Sequence, residues 1–107
     1  MDFGKLIKDT SELNKKFTKK FDKRDRMLDL VEEVGELAQA MMIVDRRKFT
    51  NDPQKKRTKA DIADALGDVL YDLILLAEDY EIDLEQEYSE MLDRLKDRVK
   101  KGEFDGR

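Results

Sequence analysis

Between Leu28 and Met42 the chain reads L-D-L-V-E-E-V-G-E-L-A-Q-A-M-M. This spacing fits only a helix. With Val34 as the centre of a 3.6-residue wheel, Met27, Leu30, Val31, Leu37, Ala38 and Met41 gather around it and are expected to form one buried stripe. Glu33 falls about 100° from that centre and Glu36 about 160° on the same side, so the two are near neighbours on one flank, with Glu32 turned further away. Like charges three residues apart weaken a helix by a few tenths of a kcal/mol, a cost that reverses when a cation lies between them.

The rest of the composition narrows the chemistry. One proline, five glycines and no tryptophan in 107 residues, 45% of them charged, describe an all-α chain. Its length predicts a single domain over 1–107 with one core, for which dimerisation would add useful burial. No apolar run is long enough to span a membrane and no signal-peptide pattern opens the chain, so a cytoplasmic protein is expected. Histidine and cysteine are both absent. That excludes Ser-His-Asp and Cys-His nucleophiles, ordinary zinc sites and the Glu-x-x-His pairs of di-iron bundles. Any metal must be held by oxygen ligands, which selects hard ions such as Mg²⁺, Mn²⁺ or Ca²⁺. A net charge of −4 argues against general nucleic-acid binding.

Along the chain, Phe3, Leu6, Ile7, Leu13, Phe17 and Phe21 predict an amphipathic first helix over residues 3–21 with a basic outer face. A second helix is expected from about Asp25 to Arg47, with Asp22 or Asp25 as its cap. The polar loop K-F-T-N-D-P-Q-K-K-R-T-K follows, holding the only proline and a cluster of basic residues that either connects helices or holds phosphates. Thr58 and Asp61 form a capping box for the third helix, and that role accounts for Asp61.

The third helix is the most apolar, yet Asp64, Asp68 and Asp72 repeat at i, i+4 and i+8 as a carboxylate strip beside buried surface. Buried carboxylates demand a cation or an arginine. Asp68 is the strongest candidate for function, whereas a salt bridge rivals metal ligation for Asp72. A fourth helix is expected from about Leu84 to Lys101, capped by Asp83 with Gln86, with Leu84, Tyr88, Met91, Leu92, Leu95 and Val99 inward. Gly102 is placed as its C′ residue, and the tail over 102–107 is expected to be loose, with Phe104 able to tuck back.

Two helices thus carry facing acids, E-E-V-G-E-L-A-Q-A on one and L-G-D-V-L-Y-D-L-I-L-L-A on the other, followed by I-D-L-E. Over residues 25–100 the chain resembles the MazG-like, all-α nucleoside triphosphate pyrophosphohydrolases, whose signature is E-E-x-x-E followed by E-x-x-D. The resemblance implies a four-helix, bundle-like fold with its core over about 25–101. Glu33 and Glu36 match the family's E-x-x-E ligands, Glu32 the glutamate before them, and Asp68 the aspartate of E-x-x-D. The glutamate three residues before Asp68 is replaced by Ala65. Asp64 and Asp72 are the acids on the same helical face able to replace it.

The activity implied is Mg²⁺-dependent cleavage of a nucleoside triphosphate between its α and β phosphates, with Mn²⁺ as an alternative ion and Glu32 or Glu33 as general base. By the family's pattern Arg94 and Arg98 contact phosphates, with Lys96 and Arg57 behind them. Taken singly, each of these basic residues is better accounted for as an exposed i,i+4 partner of a nearby acid. Phe17, Phe21 and Tyr71 are read as core or as rings that stack on a base. A homodimer or higher homo-oligomer is expected. The alternative to an enzyme is a catalytically weak relative, a nucleotide-binding or protein-interaction module that Ala65 has disarmed.

Overall fold

The structure, a computed structural model, describes residues 2–18, 20–45 and 58–104. These form four helices: α1 (Phe3–Asn14), α2 (Lys23–Val44), α3 (Lys59–Asp79) and α4 (Leu84–Lys100). The all-α reading stands. None of the helices is long and apolar enough to cross a membrane.

Local chemistry sets the helix ends. Asp2 accepts from the Lys5 N–H and starts α1. Asp22 and Asp25 act together, Asp22 accepting from the Asp25 N–H while the Asp25 carboxylate accepts from the Asp22 N–H, so α2 begins two residues earlier than expected. Thr58 and Asp61 make the anticipated box on α3, and Asp83 accepts from the Gln86 N–H at the start of α4. Gly102 has φ 75°, the left-handed conformation that ends α4 at low cost. Phe104 does tuck back, beneath the Arg98 guanidinium.

Helix α1 is shorter than its periodicity predicts. It ends at Asn14, and Phe17 and Phe21 stand on the connection to α2. That connection is tied down locally: the Phe17 N–H donates to the Asn14 carbonyl, and the Lys20 ammonium donates to the carbonyls of Asn14 and Lys15.

The main packing is α2 against α3, with α1 on another side of α3. Two cross-links show α2 and α3 antiparallel: Arg26, near the start of α2, binds Asp79, at the end of α3, while Glu36 and Ala40 share a cavity with Asp61 and Ala65. Asn14 to Tyr71 and Ser11 to Glu78 make α1 antiparallel to α3 as well. A Cβ on Gly4 would lie 2.8 Å from Glu85 Oε1, the end of a flexible side chain on the first turn of α4 that can swing aside.

One expectation is overturned. The face of α2 that packs on α3 runs through Arg26, Leu30, Glu33, Leu37 and Ala40, rotated from the apolar stripe. Leu30 and Ala40 are buried, but Met27, Val31, Val34, Ala38 and Met41 are exposed, Val34 at 47% and Val31 at 58%. The physical reason lies on α3, whose Leu66, Leu70 and Leu73 are also exposed while Ala65 and Asp72 are buried. Because antiparallel helices reverse the sense of their wheels, both exposed stripes point to the same side of the pair. The result is one apolar face that the other described residues leave uncovered. Helix α4 differs in the same way, with Tyr88, Leu95 and Val99 exposed.

Candidate active site

The opposite side of the α2–α3 seam carries the acids. At its α1 end is a cleft of about 200 Å³. Asp29 and Glu33 enter it from α2, Asp68 and Asp72 from α3, with Arg26 at the base. Asn14, Phe17, Phe21 and Tyr71 line the remaining wall. A second cavity of about 340 Å³ lies further along the seam, lined by Glu36, Asp64 and Asp68 together with Asp61, Gln39, Ala40 and Ala65. Asp68 belongs to both. It therefore joins two half-sites.

The expected acids are distributed unevenly. Glu33, Asp68 and Asp72 share the first cleft, as their places on the two wheels require. Glu36 and Asp64 line the second cavity, both exposed. Glu32 lines neither and faces a shallow depression with Phe21, Asp25, Leu28 and Asp29. Ala65 is buried in the wall of the second cavity. Arg94, Lys96 and Arg98 are exposed on α4 and line neither cavity. Arg98 instead donates through Nε to Glu103 at 2.5 Å. Arg57 lies outside the described residues.

Burial gives the first cleft its electrostatic character. Asp72 is only 3% exposed and its Oδ2 has no hydrogen-bond partner. Burial pushes its carboxyl up to about 7, reinforced by a hydrogen bond with Asp29 and by the charges of Asp29 and Glu33, with Arg26 opposing. That hydrogen bond exists only while one of the two acids keeps a proton. Glu33 is also raised, by burial first and then by Glu36, Asp68, Asp29 and Glu32, and its Oε2 too is buried without a partner. Arg26, 5% exposed, donates through Nε to Asp79 Oδ2 at 2.6 Å. The salt bridge considered for Asp72 is therefore made by Asp79. Tyr71 donates to Asn14 Oδ1 at 3.3 Å, and burial raises its phenol.

Asp29, Arg26 and Asn14 were not singled out from the sequence. A signal existed for two of them: Arg26, Asp29 and Glu33 are spaced i, i+3 and i+7, one face of a helix. It was masked by centring the wheel on the apolar stripe.

A nucleotide pyrophosphohydrolase family model, that of the MazG domain, matches residues 21–102. The chain belongs to the MazG family. The match takes in α2, α3 and α4 and so covers the acids of both cavities. No individual curated protein and no solved structure matches the chain. At the level of the family, MazG proteins are nucleoside triphosphate pyrophosphohydrolases, generally dependent on a divalent metal.

The donor set fits such an ion in kind, being all oxygen, and in need, since two buried carboxylate oxygens have no partner. The donors are not gathered: among the described residues no three acids stand close enough to hold one ion.

Proposed function

We propose that this MazG-family chain hydrolyses a nucleoside triphosphate to the monophosphate and pyrophosphate, using Mg²⁺ or Mn²⁺ held by Glu33, Asp68 and Asp72, with Glu36 and Asp64 drawn in from the neighbouring cavity. The observation that carries the reading is the pair of unpartnered buried oxygens, Glu33 Oε2 and Asp72 Oδ2, opening on one cleft with Asp68. Such oxygens are costly unless a cation or a proton meets them. When bound, the ion neutralises the phosphates and acidifies the attacking water. Water attacks the α-phosphorus, the bond to the β-phosphate oxygen breaks, pyrophosphate leaves and the water's proton passes to a carboxylate. Glu33 suits that last role better than Glu32, because it lines the cleft and Glu32 does not.

The site belongs to a helical domain over 1–107 of a cytoplasmic protein that works as a homodimer or higher homo-oligomer. Support for the dimer comes from the bare apolar face of α2 and α3. Pairing also gives Arg94, Lys96 and Arg98 of one copy a route to the phosphates held by the other, which they lack within one chain.

A second reading draws on Ala65 and the dispersed acids: a nucleotide-binding module with little turnover. Pyrophosphate release from a panel of ribo- and deoxyribonucleoside triphosphates, with Mg²⁺ or EDTA, separates the two. Metal-dependent release, abolished by Glu33→Gln and raised by Ala65→Glu, supports the enzyme. No release by the folded wild type or by Ala65→Glu refutes it.

A further inference from the structure

Asp29 and Asp72 both lie outside the E-E-x-x-E and E-x-x-D signature, Asp29 one turn before it on α2 and Asp72 one turn after it on α3. The antiparallel packing brings them to the same end of the seam. Acids then meet in layers spaced by about 6 Å, the rise of four helical residues. Asp29 is hydrogen-bonded to Asp72 in the layer nearest α1. Glu33 and Asp68 follow, lining the same cleft. In the third layer Glu36 shares its cavity with Ala65, which brings no carboxylate, and with the exposed Asp64.

Desolvation is graded along these layers. Asp72 is buried, Asp29 and Glu33 are half-buried, and Asp68, Glu36 and Asp64 are exposed. The two buried oxygens without a partner, Asp72 Oδ2 and Glu33 Oε2, both belong to the first two layers. Arg26 does not meet them, its Nε being given to Asp79. The attraction between a cation and a carboxylate grows as water is withdrawn, so a divalent ion gains most in these two layers. Asp29 and Asp72 are already in contact there, and one further oxygen from Glu33 or Asp68 completes a set of three.

We infer that Asp29 is a further ligand of the divalent ion, and that the ion is held chiefly by the Asp29–Asp72 and Glu33–Asp68 layers. Glu36 and Asp64 approach from beyond Asp68 and contribute less. This rests on the metal half of the reading above and is independent of the reaction.

The test titrates the full chain with Mn²⁺ alone, free ion being read from its paramagnetic resonance signal. Asp29→Asn removes the charge but keeps a group that can hydrogen-bond Asp72. It should raise the Mn²⁺ Kd at least about tenfold, the lower end of what removing even an outer partner of a metal ligand costs. Glu12→Gln makes the same change of charge in a different cavity and should leave the Kd within about twofold. Asp64→Asn should weaken binding less than Asp29→Asn does. Circular dichroism checks that each variant keeps its helices. An Asp29→Asn chain that binds Mn²⁺ like wild type, even where Asp29→Ala does not, shows that Asp29 only holds Asp72 in place and overturns the inference. Binding weakened by Glu36→Gln or Asp64→Asn but not by Asp29→Asn puts the ion in the second cavity, which overturns the inference and leaves the hydrolase standing. Binding weakened by Asp29→Asn in a chain that releases no pyrophosphate supports the ligand and removes the hydrolase. A wild type that takes up no Mn²⁺ overturns the inference.

Discussion

Replacing Asp72 by asparagine should stabilise the protein, and only at higher pH. In the folded chain the Asp72 carboxyl is raised to about 7 from an ordinary value of 3.8. The native state therefore binds more protons than the unfolded state between those values, and stability falls as pH rises through the window. The stabilising proton is fully present below about pH 4 and is lost above about pH 7. A shift of about three units at 1.36 kcal/mol each sets a ceiling near 4 kcal/mol. Asp72 titrates together with the charges around it, so about 2 kcal/mol is the working expectation. Asparagine is uncharged at every pH, and its NH₂ can donate to Asp29 as the shared proton does. Without divalent metal, Asp72→Asn should melt about 8 °C above wild type at pH 8.5, taking roughly 4 °C per kcal/mol for a domain of this size. The two should converge by pH 4. The assay is thermal unfolding by circular dichroism in EDTA across pH 4–9. A variant less stable than wild type at pH 8.5, or a difference independent of pH, would refute the reasoning.

Two further perturbations probe other parts of the fold. Arg26→Met removes the buried partner of Asp79 and should cost about 2–3 kcal/mol in urea unfolding, because the pair is nearly dry on the arginine side; an unchanged midpoint would show the bridge to be incidental. Val34→Lys with Leu70→Lys places charges on the bare face of α2 and α3, and should convert a dimer to a folded monomer in light scattering at micromolar concentration while retaining helicity. A wild type that is already monomeric removes the basis for that prediction.

The helices were legible in the sequence because their causes are local. The Thr58–Asp61 box, Asp83 with the Gln86 N–H, and the Gly102 stop are set by residues within four positions of one another. Glu33 and Asp68 were legible as a facing pair for a related reason, since each lies at a fixed angle on its own helix and the family wording names both helices. Burial was not legible. An apolar stripe states how much surface seeks cover, not which neighbour supplies it, and α3 docks on the Glu33 side of α2 and leaves Val31 and Val34 bare. The identity of the lone buried carboxylate was hidden likewise: Asp64, Asp68 and Asp72 are equivalent in the pattern, yet only Asp72 comes under the end of α2 beside Asp29 and Arg26. Asp79, seven residues beyond the last acid of that strip, is the acid that claims Arg26. By itself the sequence determined an all-helical chain with oxygen-only chemistry, because residue types and short-range spacing suffice for both. The tertiary structure decided which acids are desolvated, which rings border them and which apolar face is left to a partner, because these depend on how helices rotate against one another, a choice made by contacts distant along the chain.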